Sequence, residues 1–217
     1  MADLAAGLAD ARRRIEAAAD RAGRDPGGVE IVAATKYVAI EDLGALADAG
    51  LTRVGENRAQ DLLAKHERYG DRFTWDFIGH LQSRKVPQIL PLVDRIHSVG
   101  SDSVLDRLAR HADLARPGLE VLVEVNVAGE AGKSGIAPDA VGGFLERCPV
   151  APVGLMTMPP LAEGPDDSRR WFAALRDLAE RHGLAHLSMG TTQDFEVAVE
   201  EGATIVRLGS VLFGTAS

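Results

Sequence analysis

Cysteine is almost missing from this sequence: Cys148 stands alone among 217 residues. An internal disulfide is therefore impossible, and a reducing cytoplasm is the simplest setting. Long apolar runs are missing as well, since no window approaches the roughly 20 residues that span a bilayer. The segment Met1 to Arg14 carries Asp3 and Asp10 and no apolar core, so no signal peptide is expected there. Positive charge is in deficit, and a net charge of -8 argues against a protein that neutralises nucleic-acid phosphates. The densest basic run, Arg12-Arg13-Arg14, reads as a solvated helix face. Lysine is scarce: Lys36, Lys65, Lys85 and Lys133 stand beside twenty arginines, so each lysine invites a reason. What is present, 46% apolar and 26% charged residues, has the balance of a soluble globular protein.

The chain opens with Leu4, Leu8, Ala11, Ile15 and Ala18, which form one apolar helical stripe. Arg24-Asp25-Pro26-Gly27-Gly28 breaks it. One theme then repeats. Short apolar or β-branched runs occur at 30–35, 53–56, 74–79, 95–99, 119–127, 151–157, 186–190 and 204–209, as expected of strands buried on both faces. Helical patterns lie between them, such as Val104/Leu105/Leu108/Ala112 behind a Ser101 cap, and Trp171/Phe172/Leu175/Leu178/Ala179. Pro138 suits the first turn of another helix. Eight strands alternating with helices point to an α/β fold: a single (β/α)8 TIM-type barrel over residues 1–217, with an extra N-terminal helix. An open doubly wound sheet is the alternative.

In such barrels the active face is built from the carboxyl ends of the strands and the loops after them. The first strand is expected to end at Thr35-Lys36 and to aim the lysine amine into the mouth, where it could attack a carbonyl; a snorkelling surface lysine fits the position equally well. The second ends in Gly55-Glu56-Asn57, where Asn57 either bonds a ring substituent or caps the next helix. The seventh and eighth give Ser188-Met189-Gly190-Thr191-Thr192 and Arg207-Leu208-Gly209-Ser210, small turns suited to a phosphate dianion. Arg207 sits inside Thr204-Ile205-Val206-Arg207-Leu208, where an inward charge needs a partner. That partner is either a carboxylate such as Glu56 or the ring nitrogen of a cofactor. A Schiff-base lysine, phosphate turns and a ring-nitrogen partner together describe a pyridoxal 5′-phosphate site.

Other features carry less. Gly132-Lys133-Ser134 resembles the end of a P-loop, but Val127 stands where that motif needs glycine. Cys148 has no histidine near it in sequence and reads as a small buried hydrophobe. His80 follows the third strand and either lines the rim of the mouth, caps a helix or supports the site from behind; the position alone does not separate these. No metal-ligand pattern stands out.

With these residues assembled, the sequence resembles the YggS/PROSC family, the pyridoxal phosphate homeostasis proteins. The resemblance rests on Val32-Ala33-Ala34-Thr35-Lys36, Gly55-Glu56-Asn57-Arg58-Ala59-Gln60, Phe77-Ile78-Gly79-His80-Leu81-Gln82-Ser83-Arg84-Lys85, Val125-Asn126-Val127 and Gly132-Lys133-Ser134-Gly135. It continues through Gly154-Leu155-Met156-Thr157-Met158, Leu187-Ser188-Met189-Gly190 and Val206-Arg207-Leu208-Gly209-Ser210, with Phe213-Gly214 after them. It implies the barrel of the alanine racemase amino-terminal domain, with the cofactor on Lys36. It also implies Arg207 facing the pyridine nitrogen, Thr192, Gly209 and Ser210 at the phosphate, and Asn57 close to the cofactor. Thr191-Thr192 stands where the family commonly has Met-Ser, which keeps a hydroxyl and adds a methyl.

A guanidinium that donates to the ring nitrogen leaves it unprotonated and makes it a poor electron sink. Racemases with this arrangement use a tyrosine on the other face, but the tyrosines here are Tyr37 and Tyr69. Tyr37 should point away from Lys36 if the strand continues, and Tyr69 lies late in the second helix. The expectation is a binding protein without catalytic residues, acting in intracellular vitamin B6 homeostasis. The alternatives are a small amino-acid racemase using Lys36 and, behind it, a class I aldolase. Expected partners are pyridoxal phosphate and, transiently, apo pyridoxal-phosphate enzymes. Neither nucleic acid nor membrane is expected, and a cytoplasmic monomer suffices.

Overall fold

The computed structural model describes residues 4–161 and 163–214. Its eight strands are β1 (Glu30–Ala34), β2 (Arg53–Glu56), β3 (Thr74–Phe77), β4 (Arg95–Val99), β5 (Glu120–Glu124), β6 (Pro152–Met156), β7 (His186–Thr191) and β8 (Ile205–Leu208). They pair in parallel in chain order and close, with Glu30 opposite Ile205 and Ala33 opposite Leu208. The expected barrel is therefore closed, and the open-sheet alternative is overturned. All eight apolar runs of the sequence became strands, because a parallel strand between helices and a barrel interior must be apolar on both faces.

The helices are α1 (Leu4–Arg21), α2 (Gly44–Asp48), α3 (Ala59–Tyr69), α4 (Val86–Ile89), α5 (Asp102–Arg110), α6 (Val141–Glu146), α7 (Arg169–Arg181), α8 (Phe195–Glu200) and α9 (Ser210–Phe213). Ser101 caps α5 by accepting from the Val104 N–H, as its sequence position suggests, although Ala112 falls beyond the helix in a 3-10 turn. Pro138 opens the 3-10 turn that leads into α6. No helix among the described residues is long and apolar enough to cross a membrane.

Helix α1 buries Leu4, Leu8, Ala11, Ile15, Ala18 and Ala19 against the barrel. It packs on α8 and α9, the two helices that follow the last two strands. A Cβ added at Gly7 would lie 2.8 Å from the carbonyl oxygens of Val211 and Leu212, so glycine permits the close approach to α9. Arg14 is half-buried, not solvated as expected: it pairs with Glu196 at 2.5 Å and lies over the Phe195 ring. The extra helix thus braces the elements behind the last two strand ends, and truncating Leu8 to alanine would cost about 2–5 kcal/mol.

Inside the barrel, Val32, Leu122, Met156 and Ile205 form an apolar group separate from the larger core between sheet and helices. Beside them runs a column of polar side chains. At the amino ends of the strands, Arg95 meets Glu30 (2.6 Å) and Glu120 (2.7 Å), while Arg53 meets Glu30 and Asp76 (both 2.8 Å). The apolar runs that identify the strands conceal this column, since only every second residue faces inward.

Candidate functional site

The strands end at a cavity of about 830 Å³. Lys36, Asn57, Thr192, Arg207, Gly209 and Ser210 all line it, so the residues singled out from the sequence meet in one place. The segments that carry them come from the first, second, seventh and eighth strand ends. Pairing across the β1–β8 seam is what makes the first and last of these neighbours.

Lys36 departs from its expected setting. Strand β1 stops at Ala34, and residues 35–37 form a turn, so Lys36 is exposed at the rim instead of continuing the strand inward. The same turn overturns the expectation for Tyr37. Its exposed ring lies beside the lysine, with Lys36 Nζ 4.9 Å from the ring centroid. Strand alternation fails here because no strand remains to impose it.

The turn is fixed from below by a buried cluster that sequence reading missed. Lys65 on α3 donates to Glu56 Oε1 (2.6 Å) and to the Thr35 carbonyl (2.7 Å), and the Thr35 hydroxyl donates to the same carboxylate (2.5 Å). Lys65 was visible as one of four lysines, but its place beneath the turn that carries Lys36 depended on the packing of α3. Glu56 consequently points at α3, so it is not the partner of Arg207.

Arg207 is 4% exposed on β8. Its Nη1 donates to Ser188 Oγ (2.5 Å), and its Nη2 to the Thr157 carbonyl (3.0 Å) and Met158 Sδ (2.9 Å). These are neutral acceptors, and no carboxylate among the described residues forms an ion pair with it. Burial pulls its pKa down to about 10, so it remains a cation at neutral pH. Asp194 and Glu124 offset part of that burial from a distance. A buried cation hydrogen-bonded only to neutral groups has capacity left for an acceptor from outside.

Asn57 presents the complementary feature: its Oδ1 is buried without a hydrogen-bond partner. It does not cap α3, whose N-cap is Arg58 with no side-chain bond. Gly79 packs against it so closely that an added Cβ would sit 2.2 Å from the Asn57 carbonyl oxygen.

The last two turns are tied together by Thr192, whose hydroxyl accepts from the N–H groups of Gly209 (3.2 Å) and Val211 (3.5 Å). Asp194 secures the first turn, accepting from the Thr191 N–H at 2.8 Å and from Ser168 Oγ at 2.9 Å. Gly190 has φ +89°, and a Cβ there would lie 2.5 Å from that of Ala198, so the turn needs glycine. Ser210 is exposed at the start of α9.

His80 does line the mouth, and so does Lys133, which pairs with Glu130. Tyr69 donates to the Ile40 carbonyl at 2.7 Å, away from the cavity. Cys148 is half-buried, and burial pushes its thiol above the ordinary value. No group of three or more metal-ligating side chains occurs among the described residues.

Comparison with known proteins adds a family to this geometry. A family model described as alanine racemase, N-terminal domain, matches residues 8–217. A pyridoxal phosphate homeostasis protein of Aquifex aeolicus is 41% identical over 212 residues, covering 93% of each chain. One of Pseudomonas aeruginosa is 38% identical over 222 residues, covering 99% of this chain and 96% of its own. The structure of PipY from Synechococcus elongatus, solved with PLP bound, superposes with a TM-score of 0.80 at 29% identity over 98% of this chain and 100% of that one.

Proposed function

We propose, from the premise that the chain belongs to the YggS/PROSC family of pyridoxal phosphate homeostasis proteins, that its barrel mouth holds pyridoxal 5′-phosphate as a Schiff base on Lys36. The observation that carries this reading is Arg207, a buried cation with neutral partners that faces the same cavity as the Lys36 amine. When bound, the cofactor supplies an aldehyde that condenses reversibly with a primary amine.

The residues divide the work. Lys36 offers its amine at an exposed rim, where the cofactor can come and go. Arg207 donates toward the ring nitrogen and keeps it free of a proton. Asn57 Oδ1 accepts from a ring substituent. Thr192, Gly209 and Ser210 hold the phosphate, with the Thr192 hydroxyl and the Gly209 N–H turning from each other to the ligand. The unpartnered Asn57 oxygen and the paired small turns fit such a group.

Holding, not turnover, is the function this arrangement favours: a single barrel domain that buffers the reactive aldehyde in vitamin B6 homeostasis and passes it to apo enzymes. An unprotonated ring is a poor electron sink. Racemisation also needs acid–base groups on opposite faces. Tyr37 lies against the Lys36 amine, and so shares its side. The test is to load the purified protein with pyridoxal phosphate and incubate it with each alanine enantiomer. A yellow protein whose colour is lost in Lys36→Ala, and which leaves both enantiomers unchanged, is the expected result. Interconversion that disappears in Lys36→Ala would make it a racemase.

A further inference from the structure

We infer that His97, acting through Ser188, is the positioning residue for Arg207. The inference rests on the reading that Arg207 meets the cofactor's ring nitrogen, and it extends the site downward into the barrel.

The geometry is a continuous chain. Arg207 Nη1 donates to Ser188 Oγ at 2.5 Å, Ser188 Oγ lies 2.8 Å from His97 Nδ1, and His97 Nε2 lies 2.8 Å from Asp76 Oδ2. Ser188, His97 and Asp76 are completely buried. Asp76 in turn meets Arg53 at 2.8 Å and Arg95 at 3.7 Å, which ties the chain to the ion pairs at the base.

The direction of every proton follows. Flanked by two guanidiniums, Asp76 is a carboxylate and only accepts. His97 Nε2 must therefore carry a proton and donate to it. Burial, reinforced by the charges of Arg207 and Arg95, lowers the His97 pKa and keeps the ring neutral. Nδ1 is then a bare lone pair, and the Ser188 hydroxyl must donate to it. That commits the hydroxyl proton downward and leaves the Ser188 oxygen lone pairs for Arg207. His97 thus selects one hydroxyl rotamer, and that rotamer holds a side chain which no carboxylate restrains.

A purely structural histidine would do something different: it would satisfy Asp76. The two roles use opposite ring nitrogens, so amide replacements separate them. In His97→Asn the amide occupies the Nδ1 position and can still accept from Ser188. In His97→Gln it occupies the Nε2 position and can still donate to Asp76.

The experiment compares wild type, Ser188→Ala, His97→Asn, His97→Gln and Lys36→Ala. Each is loaded with pyridoxal phosphate for its absorption spectrum. Each is also titrated with pyridoxine 5′-phosphate, which has the ring nitrogen and phosphate but no aldehyde, and melted without ligand. Positioning predicts that His97→Gln and Ser188→Ala bind pyridoxine phosphate about tenfold more weakly and shift the absorption band. His97→Asn stays near wild type in both, although it melts lower than His97→Gln. Binding and melting then rank the two amides in opposite orders. If His97→Gln binds as wild type does, or both readouts rank the amides alike, the positioning role is overturned. Should Ser188→Ala not fold, the two amides still decide. A wild type with no band that Lys36→Ala removes would sink the Schiff base alone, because the pyridoxine phosphate titration does not involve it.

Discussion

Arg95 and Arg207 are both buried inside the barrel, at opposite ends, and they keep different company. Arg95 is surrounded by Glu30, Glu120 and Asp76; burial alone would lower its pKa, and these carboxylates hold it above the ordinary value. Arg207 has a hydroxyl, a carbonyl and a thioether, and burial pulls it down to about 10. The same side chain is ion-paired at the base, and at the mouth it is hydrogen-bonded to neutral groups alone, which is where the proposed cofactor contact lies. The base of the barrel is electrostatically finished.

Breaking the base should be the most damaging change. Asp76→Ala removes the acceptor shared by Arg53, Arg95 and His97, and should cost about 3–5 kcal/mol of stability in urea titrations. The same operation at the mouth should behave differently. Arg207→Met deletes a buried charge that no carboxylate contacts directly, so stability should change by less than about 1 kcal/mol, while cofactor retention weakens by roughly tenfold or more. A loss of stability matching that of Asp76→Ala would erase the distinction between the two ends.

The link between the ends should appear in the pH dependence. His97 titrates lower in the folded protein than its unfolded value of about 6.5. The unfolded chain therefore binds more protons below that pH, so the contribution is fully present above about 6.5 and is lost as pH falls. Wild type should lose up to about 1.4 kcal/mol per pH unit more than His97→Gln on the acid side of 6.5. Parallel stability curves would show that His97 titrates alike in the folded and unfolded chain, against the lowering expected from its burial. At the other extreme, Asp48→Ala breaks a surface pair with Arg72 and should move stability by less than about 1 kcal/mol.

The strands were legible because apolar runs between turn residues have few other uses, and the α1 stripe because its spacing is that of one helix face. Lys36, Asn57, Thr192, Arg207, Gly209 and Ser210 were legible as strand-end residues once the barrel was inferred. Two kinds of fact were not. One is where β1 stops: a single turn at 35–37 reverses the expected relation of Tyr37 to Lys36, and nothing in Thr35-Lys36-Tyr37 announces it. The other is which buried polar groups meet. Asp76, His97 and Ser188 lie on three strands, and Glu56 finds Lys65 in place of Arg207 because a strand side chain faces either the barrel interior or the helices. A clue to the interior column was present, in the polar residues that interrupt Thr74-Trp75-Asp76-Phe77 and Arg95-Ile96-His97-Ser98-Val99.

The central claim is the proposal that the barrel mouth holds pyridoxal phosphate bonded to Lys36. Its most direct test is to load the protein with pyridoxal phosphate, reduce it with borohydride and map the modified peptide. The account predicts a single label on Lys36; an unmodified Lys36 beside a labelled Lys133 or Lys85 would contradict it.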